Sequence, residues 1–240
     1  MPAFSFGLLN DTFVSMNEQG RLSVVATPIG NLEDITLRAI RTLKEVDYIL
    51  CEDTRVTGKF LKHYAIETKM KRYDAHASER VHASVLADLA EGKHVALVSD
   101  AGTPGVSDPG VLLVQQARTA EVLIDAIPGA SAVTASFSIA GLTGNQFSFW
   151  GFAPHKKGRE TFFKNIFQSE IPVIFFESPH RIMKTLESLN KFDEDKHNVT
   201  IAREITKMHE QVVQGSSEEV LQYFIDNQDK QRGEFVVIVN

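Results

Sequence analysis

Three stretches rich in glycine and proline carry the densest chemical signal in the sequence. They are Thr27-Pro28-Ile29-Gly30-Asn31, the loop from Ser99 to Gly110, and Pro128-Gly129-Ala130-Ser131-Ala132. Glycine lets the backbone turn left-handed and come close to a ligand, and proline holds a loop in one shape. The middle stretch, Ser99-Asp100-Ala101-Gly102-Thr103-Pro104-Gly105-Val106-Ser107-Asp108-Pro109-Gly110, directly follows an apolar run. Such a loop suits a rigid cradle of backbone N–H groups. An ordinary strand-to-helix turn is the plainer reading, but those turns usually take roughly 2–6 residues. No known nucleotide fingerprint matches. Gly58-Lys59 is followed by Phe60 and lacks the upstream glycine of a phosphate loop, and no G-x-G-x-x-G occurs. Gly129-Ala130-Ser131-Ala132-Val133 lacks the second glycine of a serine-hydrolase elbow. The single Cys51 excludes an intramolecular disulfide and leaves too few thiols for a cysteine-rich zinc site, and no metal is expected.

The elements that must hold these loops follow from the pattern of apolar residues. Residues 1–20 read as a flexible leader. Leu22 to Ala26 reads as a strand, and Leu37, Ile40, Leu43 and Val46 recur with helical spacing. Strand then helix recurs through Asp47–Cys51, a helix to about Tyr64, a weak strand Lys69–Tyr73, and a helix that Gly92 stops. His94–Val98, a helix over 111–119, Val122–Ile127 and a helix opening at Ala132 complete the series. This alternation predicts an N-terminal parallel sheet with helices on both faces. Ligands of such sheets bind beyond the carboxyl ends of the strands, where all three loops lie. The pattern changes near Gly151–Gly158. Beyond it, strands at 173–177, 199–203, 210–214 and 235–239 and helices near 181–189 and 216–227 predict a C-terminal α/β domain with a mixed sheet. A capping box, Ser216 to Glu219, opens the last helix. The expected domains are 21–150 and 151–240, with the ligand cleft between them.

The chain has 240 residues, 43% of them apolar, enough for a substantial core. No apolar run approaches the roughly 20 residues that cross a bilayer, and the first basic residue, Arg21, comes too late for a signal peptide. No membrane partner and a cytoplasmic location are expected. The net charge of −6 argues against wholesale nucleic-acid binding but leaves room for a local basic patch.

The three loops occur in order with Glu52-Asp53-Thr54-Arg55, Gly151-Phe152-Ala153-Pro154, Glu177-Ser178-Pro179-His180-Arg181, Arg203-Glu204-Ile205-Thr206-Lys207 and Gly233-Glu234. This ordered set, spanning about residues 22–239, resembles the RsmI family of small-subunit ribosomal RNA 2′-O-methyltransferases, within the tetrapyrrole methylase-like superfamily. The resemblance implies S-adenosylmethionine in the interdomain cleft. Asp100, Gly102, Thr103 and Val106 would bind it on one loop, Ser131 and Ala132 on another, and the first loop, with Pro28, would border the cavity. It implies a decoding-centre cytidine of 16S RNA as substrate and a homodimer as the assembly. Relatives commonly continue past the last strand into a helical tail, whereas this sequence stops at Asn240. Any part that tail plays in docking the ribosome is expected to be missing or replaced.

The implied chemistry is an in-line displacement on a sulfonium methyl, driven largely by positioning, with a base to take the hydroxyl proton. Candidates are Glu52, Asp53, Glu177, Glu204, Lys207 and Glu210, with Lys207, Glu204 and Glu52 foremost. A buried Lys207 with a lowered pKa would serve. Arg203, Glu204 and Lys207 would equally form structural ion pairs. Arg55, Lys156, Lys157, Arg159 and Arg181 are the candidate phosphate contacts, although a charge run is as often a solvated face. Lys59, Lys62, Lys69, Lys71 and Arg72 make a second basic stretch. Two rival functions remain: a tetrapyrrole C-methyltransferase of the same fold, and a ribosome-assembly factor that binds RNA without catalysis.

Overall fold

The apolar runs of the first half become β1 (Arg21–Val25), β2 (Tyr48–Cys51), β3 (Met70–Arg72), β4 (His94–Leu97) and β5 (Leu123–Ile127). The computed structural model describes residues 20–74, 79–108 and 110–240, so the expected leader lies outside the described residues except for Gly20. All five strands are parallel, in the order β3-β2-β4-β1-β5. Connecting them are α1 (Leu37–Glu45), α2 (Thr54–His63), α3 (Glu79–Ala90) and α4 (Val111–Thr119), and α5 (Ala132–Ile139) follows β5. Strand side chains alternate between faces, which divides the core in two. Val25, Ile49, Cys51 and Ala96 pack with Ala39 and Leu43 of α1 and Phe60 and Leu61 of α2. Leu22, Leu50, Val95 and Leu97 pack with Val85 and Leu89 of α3 and Leu113 and Ala117 of α4. Local chemistry starts the helices: Thr36 caps α1 by accepting from Ala39 N, and Asp53 caps α2 by accepting from Arg55 N.

The second half contributes β6 (Ser148–Phe152), α6 (Arg159–Ile166), β7 (Val173–Glu177), α7 (Ile182–Phe192), β8 (Asn198–Arg203), β9 (Gln211–Ser216), α8 (Ser217–Asp226) and β10 (Phe235–Val239). Its sheet runs β6-β7-β10-β8-β9; β6 and β7 are parallel and the other pairs antiparallel. The capping box at Ser216 and Glu219 forms as the sequence predicts. Phe163 and Ile166, with Phe162 and Phe167 beside them, pack into the core under α7 and α8. The opposite face of this sheet, Ile174, Ala202, Val236 and Ile238, is covered by Val133 of α5 and by Ala140 just after it. A helix that follows the first sheet thus roofs the second. The boundary expected at 150–151 falls inside β6, a strand of the second sheet. Among the described residues, no helix is long and apolar enough to cross a membrane.

β8 does not run on past Arg203, because both Glu204 (φ 51°) and Thr206 (φ 67°) are left-handed. The chain turns there instead, with Glu204 N donating to Glu234 O and Lys207 N to Glu204 O.

Candidate active site

The Gly/Pro loops are knitted together before any ligand is considered. Thr27 and Gly102 exchange two backbone hydrogen bonds, of 2.9 and 3.1 Å, and so tie the loop after β1 to the loop after β4. Thr27 Oγ1 also donates to Ser99 O, and Ser99 Oγ donates to Gly102 O. Gly102 has φ 80°, and a Cβ there would lie 3.3 Å from Ile29 Cγ2. Only glycine takes this left-handed turn with a wall so close.

These loops and the second sheet enclose a cleft of about 400 Å³, within the usual range for small-molecule sites. One wall is built from Asp100, Gly102, Thr103, Val106, Ser131 and Ala132. Apolar side chains line it too, among them Ile29, Val133, Phe176 and Val236. Ser131 stands at the start of α5, but its side chain makes no capping hydrogen bond. The first N–H groups of a helix have no intrahelical partner, so α5 offers free donors where Ser131, Ala132 and Val133 line the cleft. Pro28 is not part of the wall; it sits between Thr27, which pairs with Gly102, and Ile29, which lines the cavity.

The carboxylates separate sharply by environment. Glu177 lines the cleft, yet its side chain is 0% exposed and both oxygens are engaged. Oε1 accepts from Arg181 at 2.7 Å and from Ser178 N, while Oε2 accepts from Thr185 Oγ1 and faces Arg159 at 3.8 Å. Arg159 and Arg181 are therefore bonded inward: Arg159 also reaches Pro154 O and Thr185 Oγ1, and Arg181 reaches Ala153 O. Neither guanidinium is presented to a phosphate as expected, because a buried carboxylate must be paired. Lys156 and Lys157 are exposed beside them. Arg55 is exposed and held to Asp53 at 2.6 Å. In the second basic stretch, Lys71 pairs with Asp88 and Arg72 with Asp74.

Lys207, Glu204 and Glu52 are not on the cleft wall. Lys207 Nζ bonds Glu204 Oε1 at 2.9 Å and Glu234 Oε2 at 2.8 Å. Burial alone would lower the Lys207 pKa, but the Glu234 and Glu204 carboxylates outweigh it and the net shift is upward. Burial likewise pushes Glu204 up, and its bond to Lys207 and the Glu234 N–H turn the balance downward. The lowered Lys207 pKa expected from burial is thus reversed by its two partners, and the ammonium form prevails. Glu210 is exposed, with Oε2 accepting from Thr206 N. Glu52 is raised by burial first and then by Asp100 and Asp74.

Asp108 is a wall residue absent from the candidates that the sequence suggests. It lines the cleft beside Asp100, and burial first, then Glu52 and Asp100, push its carboxyl up to about 6. Its position inside a Gly/Pro loop, five residues after Thr103, was the available signal. Among the described residues there is no cluster of side chains fit to hold a metal.

The sequence profile of the Tetrapyrrole (Corrin/Porphyrin) Methylases matches residues 21–221. A relative named ribosomal RNA small subunit methyltransferase I, from Synechocystis sp., is 43% identical over 92% of this chain and 78% of its own length. One of the same name from Thermotoga maritima is 41% identical over 92% of this chain and 98% of its own. Among solved structures, a diphthine synthase matches with a TM-score of 0.70 at 16% identity, covering 91% of this chain and 88% of its own. The uroporphyrin-III-C-methyltransferase from Thermus thermophilus matches at 0.62 and 17%, covering 92% and 94%. At those identities the two structures speak for the fold alone. With the profile matching residues 21–221 and relatives above 40% identity covering 92% of the chain, the chain belongs to the tetrapyrrole methylase family, in its ribosomal RNA small subunit methyltransferase I branch.

Proposed function

We propose that the cleft binds S-adenosylmethionine and directs its methyl group to the 2′-hydroxyl of a decoding-centre cytidine in 16S ribosomal RNA. The observation that carries this reading is the convergence of Asp100, Gly102, Thr103, Val106, Ser131 and Ala132 on one wall of the cleft. It occurs in a chain whose relatives bear the name ribosomal RNA small subunit methyltransferase I. Methyltransferases of this family take their methyl from S-adenosylmethionine, which supplies it as an electrophilic carbon on a sulfonium.

The residues fit that donor. The uncapped start of α5 offers N–H groups to a carboxylate. Asp100 complements positive charge, and Ile29, Val133, Phe176 and Val236 give apolar walls for a base. The loops bound by the Thr27–Gly102 pair are rigid in advance, so little ordering opposes binding. Positioning of the ribose oxygen against the methyl carbon would supply much of the rate. Lys156 and Lys157, exposed just before α6, are the candidate phosphate contacts.

A tetrapyrrole substrate is disfavoured by charge. The described cleft lining includes Asp100, Asp108, Glu177 and Glu234 and no lysine or arginine, a poor match to several propionates. A purely structural RNA binder would have no use for this cofactor-sized cavity. The two domains are taken to part just before β6 rather than at 150–151, with a homodimer as the assembly and the cytoplasm as the location. The test is transfer of labelled methyl from S-adenosylmethionine to purified 30S subunits and to naked 16S RNA, with the modified nucleotide mapped. A ribose-methylated cytidine is expected; labelling of a tetrapyrrole instead, or binding without transfer, would reject the assignment.

A further inference from the structure

We propose that Asp108 takes the proton from the hydroxyl that is methylated. The inference rests on the reading of the cleft as a ribose 2′-O-methyltransferase site and adds the residue that completes its chemistry. Among the described residues, four carboxylates line the cleft: Asp100, Asp108, Glu177 and Glu234. Three are already committed. Asp100 Oδ1 accepts from Asp53 N at 3.2 Å. Glu177 is closed in by Arg181, Arg159, Thr185 and the Ser178 N–H. Glu234 is paired with Lys207 at 2.8 Å. Among the described residues, Asp108 alone of the four has neither a hydrogen-bond nor an ion-pair partner.

The backbone presents it deliberately. Ser107, the residue before, is left-handed at φ 66°, a conformation that costs a serine free energy and persists only where the surroundings enforce it. Ser107 lies against the bulge in β6, where the register shifts between Phe149 and Phe152. Gly151 has φ 67° there, and a Cβ on it would stand 3.3 Å from Ser107 Oγ. The bulge of the second sheet thus lies against the loop of the first, and Asp108 lines the cleft there.

The environment suits a base that must be ionised near neutrality and still bind a proton. Burial and the neighbouring Glu52, at the end of β2, and Asp100, at the start of the same loop, push Asp108 to about 6. On the facing wall, Glu177 is neutralised by its two arginines and Glu234 by Lys207. A general base works best with a pKa close to the working pH. In the step itself the ribose oxygen bonds to the methyl carbon, and the carbon–sulfur bond breaks with its electron pair left on sulfur. The hydroxyl proton passes to Asp108 Oδ and then to solvent, so the sulfonium charge is lost as the carboxylate charge is neutralised.

The test is single-turnover methyl transfer to 30S subunits at saturating cofactor across pH, with S-adenosylmethionine affinity measured on the same proteins by calorimetry. The wild-type rate is expected to rise with pH through an apparent pKa near 6. Asp108→Asn should lose more than about tenfold in rate and lose that acidic limb, with cofactor affinity and melting temperature kept. Asp108→Glu should retain part of the rate and the limb, which a merely structural role would not require. A folded Asp108→Asn protein with wild-type rate and profile overturns the proposal, as does a rate loss fully explained by lost cofactor binding. Absence of transfer by the wild type at any pH is a different signature: it rejects the substrate assignment itself, and this proposal with it.

Discussion

At the scale of single residues, the molecule separates charges it uses from charges it stores. Glu177 with Arg159 and Arg181 is a buried triad, its arginine side chains 16% and 15% exposed. Removing one member of such a set leaves the others uncompensated in a poorly hydrated place, at roughly 3–5 kcal/mol. Glu177→Gln should therefore lower unfolding free energy by about 3 kcal/mol in urea melts; an unchanged midpoint would mean that water reaches both guanidiniums. Asp88 stores charge at a half-buried position. It holds Lys93, Lys71 and the Tyr48 hydroxyl, and its bond to Lys93 above all keeps its carboxyl below the usual range despite burial. A carboxyl depressed in the folded state contributes stability above its unfolded pKa of about 4, and that contribution is lost as pH falls through the lower folded value. The stability advantage of wild type over Asp88→Asn should thus be full at neutral pH and shrink below about pH 4. An advantage that stays constant from neutral pH to about pH 3 would remove Asp88 from the acid response.

At the scale of elements, the turn after β8 locks the loop after β1. A Cβ on Gly30 would stand 2.4 Å from Lys207 Cγ and 2.9 Å from Thr206 Oγ1, so the two segments touch with no room for a methyl group. Lys207 itself is fixed by Glu204 and Glu234. Gly30→Ala should cost about 1–3 kcal/mol through overpacking. Shortening the opposing stem with Lys207→Ala should restore part of that stability, giving a favourable coupling in a double-mutant cycle. Additive effects in thermal melts would show that the two segments are not tightly packed. The same geometry assigns Lys207 a positioning part, clamping the rim of the cleft.

At the scale of the whole molecule, an acidic protein must hold an RNA through local charge. With Arg159 and Arg181 turned inward, the exposed pair Lys156 and Lys157 is what remains of the run at the start of α6. Changing both to Ala should lower the slope of log affinity against log salt by about two units, near one for each phosphate no longer neutralised. S-adenosylmethionine affinity should not move. An unaltered slope in binding titrations on 16S RNA would return the pair to the role of a solvated face.

The sequence by itself determined the elements and the loops. Strand–helix alternation, the capping box at Ser216 and the two-faced strands are local or periodic properties, and periodicity survives folding because each element must bury its own apolar face. The Gly/Pro loops were legible for the same reason: φ and close approach are dictated residue by residue. What only the tertiary structure decided is which charges face the cleft. Arg159 and Arg181 look like free cations in sequence, but Glu177 lies between them once α6, β7 and the turn before α7 pack together. Lys207 looks like a base until two carboxylates, one of them 27 residues further on, close around it. Asp108 looks like a turn residue until its loop packs beside the β6 bulge and it lines the cleft. A side chain's protonation and direction depend on neighbours far away in the chain, through burial and Coulomb interactions that no spacing rule encodes.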